Sequence, residues 1–121
     1  VTHGTARQAA VPGYQILGKT GTAEKHIVGG YNKEALRTSF LGAFPARAPR
    51  YAMLVMLDEP QGHAETYGLN SAGWNAAPAA GEIVRRTASL LGVLPRAEVP
   101  AEQAAVKPTH QSVEEVAYAP R

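Results

Sequence analysis

Two apolar segments joined by a short proline-rich connection constrain the fold of this chain most strongly. Residues 38–44 alternate between two faces, residues 51–57 are apolar on both faces, and residues 45–49 separate them with two prolines. A connection this short favours an antiparallel pair of strands. Strands that are apolar on both faces are usually covered on both sides, so we expect residues 51–57 to form a central strand of the sheet.

A further strand is predicted before this pair. Residues 14–23 alternate in the manner of a strand, and Gly18 and Gly21 would let a ligand or a second backbone approach closely. Residues 26–32 contain Gly29 and Gly30 and predict a loop.

A single helix is predicted after the strands. Pro78 suits a first helical turn, and apolar residues recur at helical spacing as far as Leu91. Gly92 and Pro95 then provide a stop signal. Three antiparallel strands followed by one helix predict an α+β fold in which the helix packs on the sheet.

The length of the chain, 121 residues, suits one small domain. Residues 96–121 are rich in Pro, Ala and Glu without an apolar period, so we predict a disordered tail there. Residues 1–95 would then be the folded part. This part begins without a methionine, and we interpret it as a fragment of something larger. We therefore expect exposed apolar surface on the third strand and on the helix.

Composition argues against several classes of function. The formal net charge is only +2 and the basic residues are scattered, which argues against nucleic-acid binding. The absence of cysteine excludes disulfides and zinc–thiolate sites. The four histidines share no metal-ligand spacing, so neither a metal nor a cofactor is predicted. The longest apolar run, residues 52–57, is far too short to span a bilayer.

The candidate site is the segment Lys19-Thr20-Gly21-Thr22, which we call the tetrad. A cation, two hydroxyls and a glycine that exposes the backbone make a binding strip for carboxylates and acyl groups. We expect this strip to lie on an exposed edge strand.

Residues 13–20 also match the phosphate-loop pattern G-x-x-x-x-G-K-[ST], which leaves a fragment of an NTPase as an alternative. In this alternative, Asp58 would be the magnesium-binding acid at the end of a hydrophobic strand. However, a phosphate loop follows a buried strand and opens a helix. Residues 1–12 predict no such strand, and the residues after Thr20 predict no amphipathic helix. We therefore favour the strand interpretation.

Four segments carry a resemblance to a known family: residues 11–25, 38–45, 51–60 and 73–78. Together they resemble the C-terminal part of the penicillin-binding transpeptidase domain, most closely that of the division-specific class B penicillin-binding proteins. The resemblance covers about residues 1–95. It implies a serine-type peptidoglycan D,D-transpeptidase, whose serine attacks a D-alanyl-D-alanine stem peptide. A second stem peptide then resolves the acyl-enzyme into a cross-link, and β-lactams acylate the same serine.

The resemblance also implies roles for the tetrad. Lys19 would provide a positive field for the terminal carboxylate of the substrate and for proton movement between serines. The hydroxyls of Thr20 and Thr22 would bind that carboxylate, and Gly21 would admit the peptide. The backbone N–H of Thr22 would be one of two oxyanion-hole donors.

The chain departs from the family pattern in one respect, because it contains neither S-x-x-K nor S-x-N. We expect the nucleophile to lie upstream in a longer parent, so that this chain alone is inactive and forms no covalent penicillin adduct. A non-catalytic sensor module with the same fold is a further alternative.

The resemblance implies a setting as well. The parent would lie at the periplasmic face of the bacterial inner membrane, anchored by one N-terminal helix. Its partners would be a glycan-polymerising membrane protein and other proteins of the division machinery.

Three other features have open interpretations. Trp74 and Asn75 either line the substrate groove or, as we favour for the tryptophan, pack against the helix that follows. Residues 62–73 form a long connection, which indicates a functional loop. Asp58 and Glu59 are adjacent, so we expect them to face opposite sides and to cap the turn before Pro60.

Overall fold

The computed structural model describes residue 1 and residues 3–96, so most of the predicted tail lies outside the described residues. A three-stranded antiparallel sheet in the order β1-β2-β3 carries one α-helix on one face. The elements are β1 (Leu17–Ile27), β2 (Gly30–Phe44), β3 (Tyr51–Asp58) and α1 (Ala76–Thr87). Three short 3-10 turns lie at Arg7–Ala9, Ala64–Thr66 and Ala72–Trp74. The predicted α+β fold is confirmed.

The hairpin between β1 and β2 is longer than predicted. β1 continues to Ile27 and β2 resumes at Gly30, so the loop predicted for residues 26–32 is wrong. The chain reverses within two residues because Gly29 and Gly30 adopt φ values of 99° and 146°, which residues with side chains rarely adopt. The flanking residues are thereby free to pair as strands. One irregularity interrupts this pairing, between Glu24 and Lys25.

The third strand occupies a different place from the predicted one. Within the described residues β2 is central and β3 lies at an edge, which differs from the central position predicted for residues 51–57. One face of β3 packs towards α1, whereas Leu54 and Met56 on the other face are 60% and 54% exposed. Leu90 and Leu91, after the helix, are also exposed. Ile83 within α1 is 43% exposed, so the expectation of exposed apolar surface on the third strand and on the helix is confirmed.

The face of the sheet beneath α1 is built around one aromatic ring. Phe40 is fully buried, and its ring lies over Gly18 of β1 and Gly42 of β2. A Cβ atom on either glycine would overlap this ring. The glycines therefore provide the space that the ring fills, which explains the alternation of small and large residues along β2.

The helix reaches the sheet through small residues. Its buried side consists of Ala76, Ala77, Ala80, Gly81 and Val84. A Cβ atom on Gly81 would lie 3.1 Å from the carbonyl oxygen of Ala9, so the turn Arg7–Ala9 packs directly on the helix backbone. This contact fixes the segment that precedes β1 against α1.

Glu82 on the outer side of α1 makes ion pairs that predict a response to acid. Its carboxylate accepts hydrogen bonds from Arg85, at 2.7 Å, and from Arg86, and these guanidinium groups lower its pKa from 4.5 to about 2. A lowered pKa stabilises the folded state above about pH 4.5, and this contribution is lost as the pH falls towards 2. We expect Glu82→Gln to remove this part of the acid sensitivity of helix stability, as measured by circular dichroism between pH 5 and 2.

The matched control is Glu34→Gln, which replaces an exposed carboxylate that makes no ion pair among the described residues. This variant should keep the acid response of the unsubstituted chain. Equal acid responses in the Glu82 variant and the unsubstituted chain would contradict the prediction.

Candidate functional site

The tetrad lies in the N-terminal half of β1, at an edge of the described sheet. Its four residues pair in order with Leu41, Phe40, Ser39 and Thr38 of β2. The other side of β1 has no strand beside it within the described residues. The predicted position of the tetrad on an edge strand is confirmed.

The phosphate-loop alternative does not agree with this geometry. Gly18, Lys19 and Thr20 lie inside an extended strand that continues to Ile27. A phosphate loop instead curls around the ligand and opens a helix at this point of the sequence. The only α-helix of the described residues begins at Ala76, far along the chain.

The side chains of the tetrad divide between the two faces of the sheet. Thr20 and Thr22 lie opposite the buried residues Phe40 and Thr38, so their hydroxyls are on the face that carries α1. Lys19 and Gly21 are on the opposite face. The ammonium group of Lys19 bends back and donates a hydrogen bond of 2.8 Å to the carbonyl oxygen of Thr20. The strand edge thus has hydroxyls on one side and a cation on the other.

Gly21 leaves room at the centre of the tetrad. A Cβ atom at this position would lie 2.8 Å from Oγ of Ser39, its partner on β2. A side chain would therefore displace Ser39, and without one the backbone of β1 remains accessible from this face.

Two segments outside the sheet contact the hydroxyls of the tetrad. The side-chain oxygens of Thr5 and Thr20 are 2.8 Å apart and share a hydrogen bond. Oγ1 of Thr22 accepts a hydrogen bond of 3.1 Å from the backbone N–H of Ala72. Sequence reasoning missed Thr5 and Ala72, because no spacing or residue type marks contacts between segments so far apart.

Asn75 joins three elements beside the tetrad. Its Oδ1 accepts hydrogen bonds from Oγ1 of the fully buried Thr38, at 2.7 Å, and from the N–H of Ala76, at 2.6 Å. Its Nδ2 donates to the carbonyl oxygen of Asn70 at 2.8 Å. Asn75 therefore caps α1 and ties it to the strand that pairs with the tetrad.

Trp74 lines a surface cavity. The cavity has a volume of about 360 Å³, and its walls are formed by Gly4, Thr5, Arg7, Gln8, Ser71, Gly73 and Trp74. The ring of Trp74 meets that of Tyr67 edge-on, with 6.2 Å between their centres. The indole thus borders open space and a second aromatic ring.

The long connection at residues 62–73 has local structure of its own. It contains the turn Ala64–Thr66, in which the N–H of His63 donates to Oγ1 of Thr66. Gly62 lies so close to the backbone of Gly68 that a Cβ atom would overlap it. These contacts fold the connection back on itself and bring Tyr67 towards Trp74.

The adjacent carboxylates of Asp58 and Glu59 converge on one lysine. Nζ of Lys25 lies 3.1 Å from Asp58 and 2.6 Å from Glu59, so the expectation that they face opposite sides is wrong. The reason is that β3 ends at Asp58, and Glu59 adopts a φ of 50°, which turns its side chain out of the strand pattern. Hydrogen bonds to Glu59 and Asp58 raise the pKa of Lys25, and the bond to Lys25 lowers the pKa of Asp58.

Comparison with known proteins agrees with the fold. Residues 1–85 match the penicillin binding protein transpeptidase domain, so this chain belongs to that family, and the resemblance seen in the sequence is confirmed. No helix among residues 1 and 3–96 is long and apolar enough to cross a membrane.

The relatives include a protein named as a probable peptidoglycan D,D-transpeptidase and one named as a sporulation protein. The chain is 42% identical over 102 residues to the probable peptidoglycan D,D-transpeptidase FtsI of Caulobacter vibrioides, which covers 79% of the chain and 17% of the relative. It is 41% identical over 96 residues to the stage V sporulation protein D of Bacillus subtilis, and this match covers 79% of the chain and 14% of the relative. The chain therefore spans less than a fifth of the length of these relatives.

Solved structures show the same fold. The transpeptidase domain of penicillin-binding protein 3 from Burkholderia pseudomallei is 39% identical with a TM-score of 0.65, covering 78% of this chain and 27% of that one. Penicillin-binding protein 3 of Mycobacterium tuberculosis, in complex with ampicillin, is 34% identical with a TM-score of 0.65. This match covers 80% of this chain and 21% of that one.

Proposed function

We propose that this chain provides the substrate-binding edge of a peptidoglycan D,D-transpeptidase. In this proposal, the full-length polypeptide that contains residues 1–121 cross-links stem peptides through a serine acyl-enzyme and is acylated by β-lactams. The observation that carries the proposal is the geometry of the tetrad in an edge strand, within a family whose members bind penicillin. The identity to relatives named as D,D-transpeptidases supports it.

The edge of β1 suits an extended peptide. A peptide that adds to a sheet edge gains main-chain hydrogen bonds, and Gly21 leaves the backbone accessible at the centre of the tetrad. The hydroxyls of Thr20 and Thr22 lie on one face, where they would donate hydrogen bonds to the terminal carboxylate. The N–H of Thr22 would stabilise the oxyanion of the tetrahedral intermediate.

Lys19 would act from the other side of the strand. Its ammonium group is exposed and its one described hydrogen bond goes to the backbone of the tetrad itself. The ammonium group could give up that bond and donate instead to the substrate or to a serine hydroxyl. The cost in free energy would be small, because the ammonium group has one acceptor before and after the exchange. Lys19 would then stabilise negative charge and assist proton movement between serines.

The nucleophile belongs to a part of the polypeptide other than residues 1–121, since these contain no S-x-x-K. Residues 1–95 would be the C-terminal portion of the transpeptidase domain, and residues 96–121 a tail that follows it. The enzyme would work at the periplasmic face of the inner membrane with division proteins and a glycan-polymerising membrane protein. The similarity to the FtsI relative supports the link to cell division.

Labelling with a fluorescent penicillin tests the proposal. We expect the full-length polypeptide to form one covalent adduct that survives denaturation and is prevented by prior incubation with ampicillin. The isolated chain of 121 residues should form none, because it lacks the nucleophile. Absence of an adduct on the full-length polypeptide would contradict the proposed function. An adduct on the isolated chain would contradict the position of the nucleophile.

A further inference from the structure

We propose that the cavity beside Trp74 is a second carboxylate-binding subsite, in which Arg7 binds an internal carboxylate of the peptide substrate. The terminal carboxylate of the same peptide would meet Thr20 and Thr22. This inference rests on the proposed function and extends it to the specificity for the peptide.

The cavity adjoins the tetrad directly. Thr5 lines the cavity, and its Oγ1 lies 2.8 Å from Oγ1 of Thr20. One pair of hydroxyls therefore separates the cavity from the proposed site for the terminal carboxylate. Successive residues of an extended peptide are about 3.3–3.6 Å apart, so a peptide held at the tetrad can reach the cavity within a few residues.

The chemistry of the walls favours an anion. Arg7 is exposed and makes no ion pair within the part of the chain that the structure describes. None of the residues lining the cavity is acidic, so its guanidinium charge is not neutralised there. Gln8 and Ser71 add hydrogen-bond donors, and Trp74 adds an apolar wall. An arginine fork binds a carboxylate through two parallel hydrogen bonds, which suits this arrangement.

The backbone that carries Arg7 is held in place before any ligand binds. Ala9, two residues on, is fully buried against α1 beside Gly81. On the other side of the cavity, a Cβ atom on Gly73 would lie 2.8 Å from the carbonyl oxygen of Thr5, so the segments that form the two walls are in contact. A cavity that is already formed binds its ligand with a smaller loss of conformational entropy.

The experiment compares two peptides with the full-length polypeptide. Both end in D-alanyl-D-alanine, and they differ only in one internal acidic residue, which is a free acid in the first and an amide in the second. The measurement is kcat and KM for the release of D-alanine, together with the rate of acylation by penicillin. We expect Arg7→Gln to raise KM for the acid peptide about tenfold, in line with loss of one charged pair. Its kcat, its KM for the amide peptide and its acylation by penicillin should not change.

Two further variants test whether the change in KM comes from the guanidinium group of Arg7. Arg7→Lys keeps the charge but loses the fork, so we expect an intermediate KM for the acid peptide. Arg47→Gln is the matched control, because Arg47 is also exposed and makes no ion pair within the described residues, and it lies in the connection between β2 and β3. This control should leave both peptides unaffected.

The outcomes separate the inference from the proposed function. The subsite would be overturned if Arg7→Gln left KM for the acid peptide unchanged, or if Arg47→Gln raised this KM equally. Acylation by penicillin would in either case still support the transpeptidase. If the unsubstituted polypeptide neither releases D-alanine nor reacts with penicillin, the proposed function fails and the subsite fails with it.

Discussion

Alanine in place of Lys19 is expected to slow the acylation of the full-length polypeptide by penicillin about 10²–10⁴-fold, the range for loss of a group that transfers protons in the transition state. Lys19 is exposed in β1, and its ammonium group contacts only the carbonyl oxygen of Thr20 among the described residues. Its removal should therefore have little effect on the free energy of unfolding. The measurements are the acylation rate with a fluorescent penicillin and the midpoint of thermal unfolding.

Two companion variants make this result specific. Lys33→Ala removes an exposed lysine of β2 that makes no ion pair within the described residues, and it should leave the acylation rate unchanged. Lys19→Arg keeps the positive charge but cannot give up a proton, so recovery of the rate would assign Lys19 a purely electrostatic role. A normal acylation rate in Lys19→Ala would remove the tetrad lysine from the mechanism.

Alanine in place of Asn75 is expected to lower the free energy of unfolding by roughly 2–4 kcal/mol. Loss of a helix N-cap costs about 1 kcal/mol, and a buried hydroxyl without its acceptor costs about 1–3 kcal/mol more. The buried hydroxyl is that of Thr38, whose hydrogen bond to Oδ1 of Asn75 is 2.7 Å long. Denaturation by urea measures the change.

The conservative variant Asn75→Asp separates the contributions. Aspartate keeps the acceptor for Thr38 and for the N–H of Ala76, and loses only the donor to Asn70. We expect it to recover most of the stability. Asn32→Ala, at an exposed hydrogen bond to the N–H of Glu34, is the matched control and should cost less than about 1 kcal/mol. If Asn75→Ala lowered the free energy of unfolding no more than this control does, the hydrogen bonds of Asn75 would not have the importance for stability that we assign to them.

A double-mutant cycle tests whether Thr38 and Asn75 act together. Thr38→Val removes the hydroxyl that needs the acceptor, so Asn75→Ala should cost less in its presence than alone. Additive losses would show that Asn75 stabilises the fold through the helix cap alone.

The local elements were largely predictable from sequence. The second strand, the third strand and the helix were recognised from periodicity, because the alternation of side chains in a strand and their 3.6-residue repeat in a helix follow from backbone geometry. The extended hairpin at residues 26–32 could not be predicted from sequence, because Gly29 and Gly30 are compatible with a long loop or a tight turn. The pairing of flanking residues decides between these two.

The sequence by itself determined the α+β class, the family, and the place of the tetrad in a strand. Each depends on neighbouring residues or on an ordered set of motifs. Only the tertiary structure decided that β3 lies at an edge of the described sheet, that Asp58 and Glu59 both reach Lys25, and that Thr5 and Ala72 meet the tetrad. The last two contacts join residues 15 and 50 positions apart. Contacts of this kind arise from the packing of elements against one another, which no local repeat in the sequence encodes.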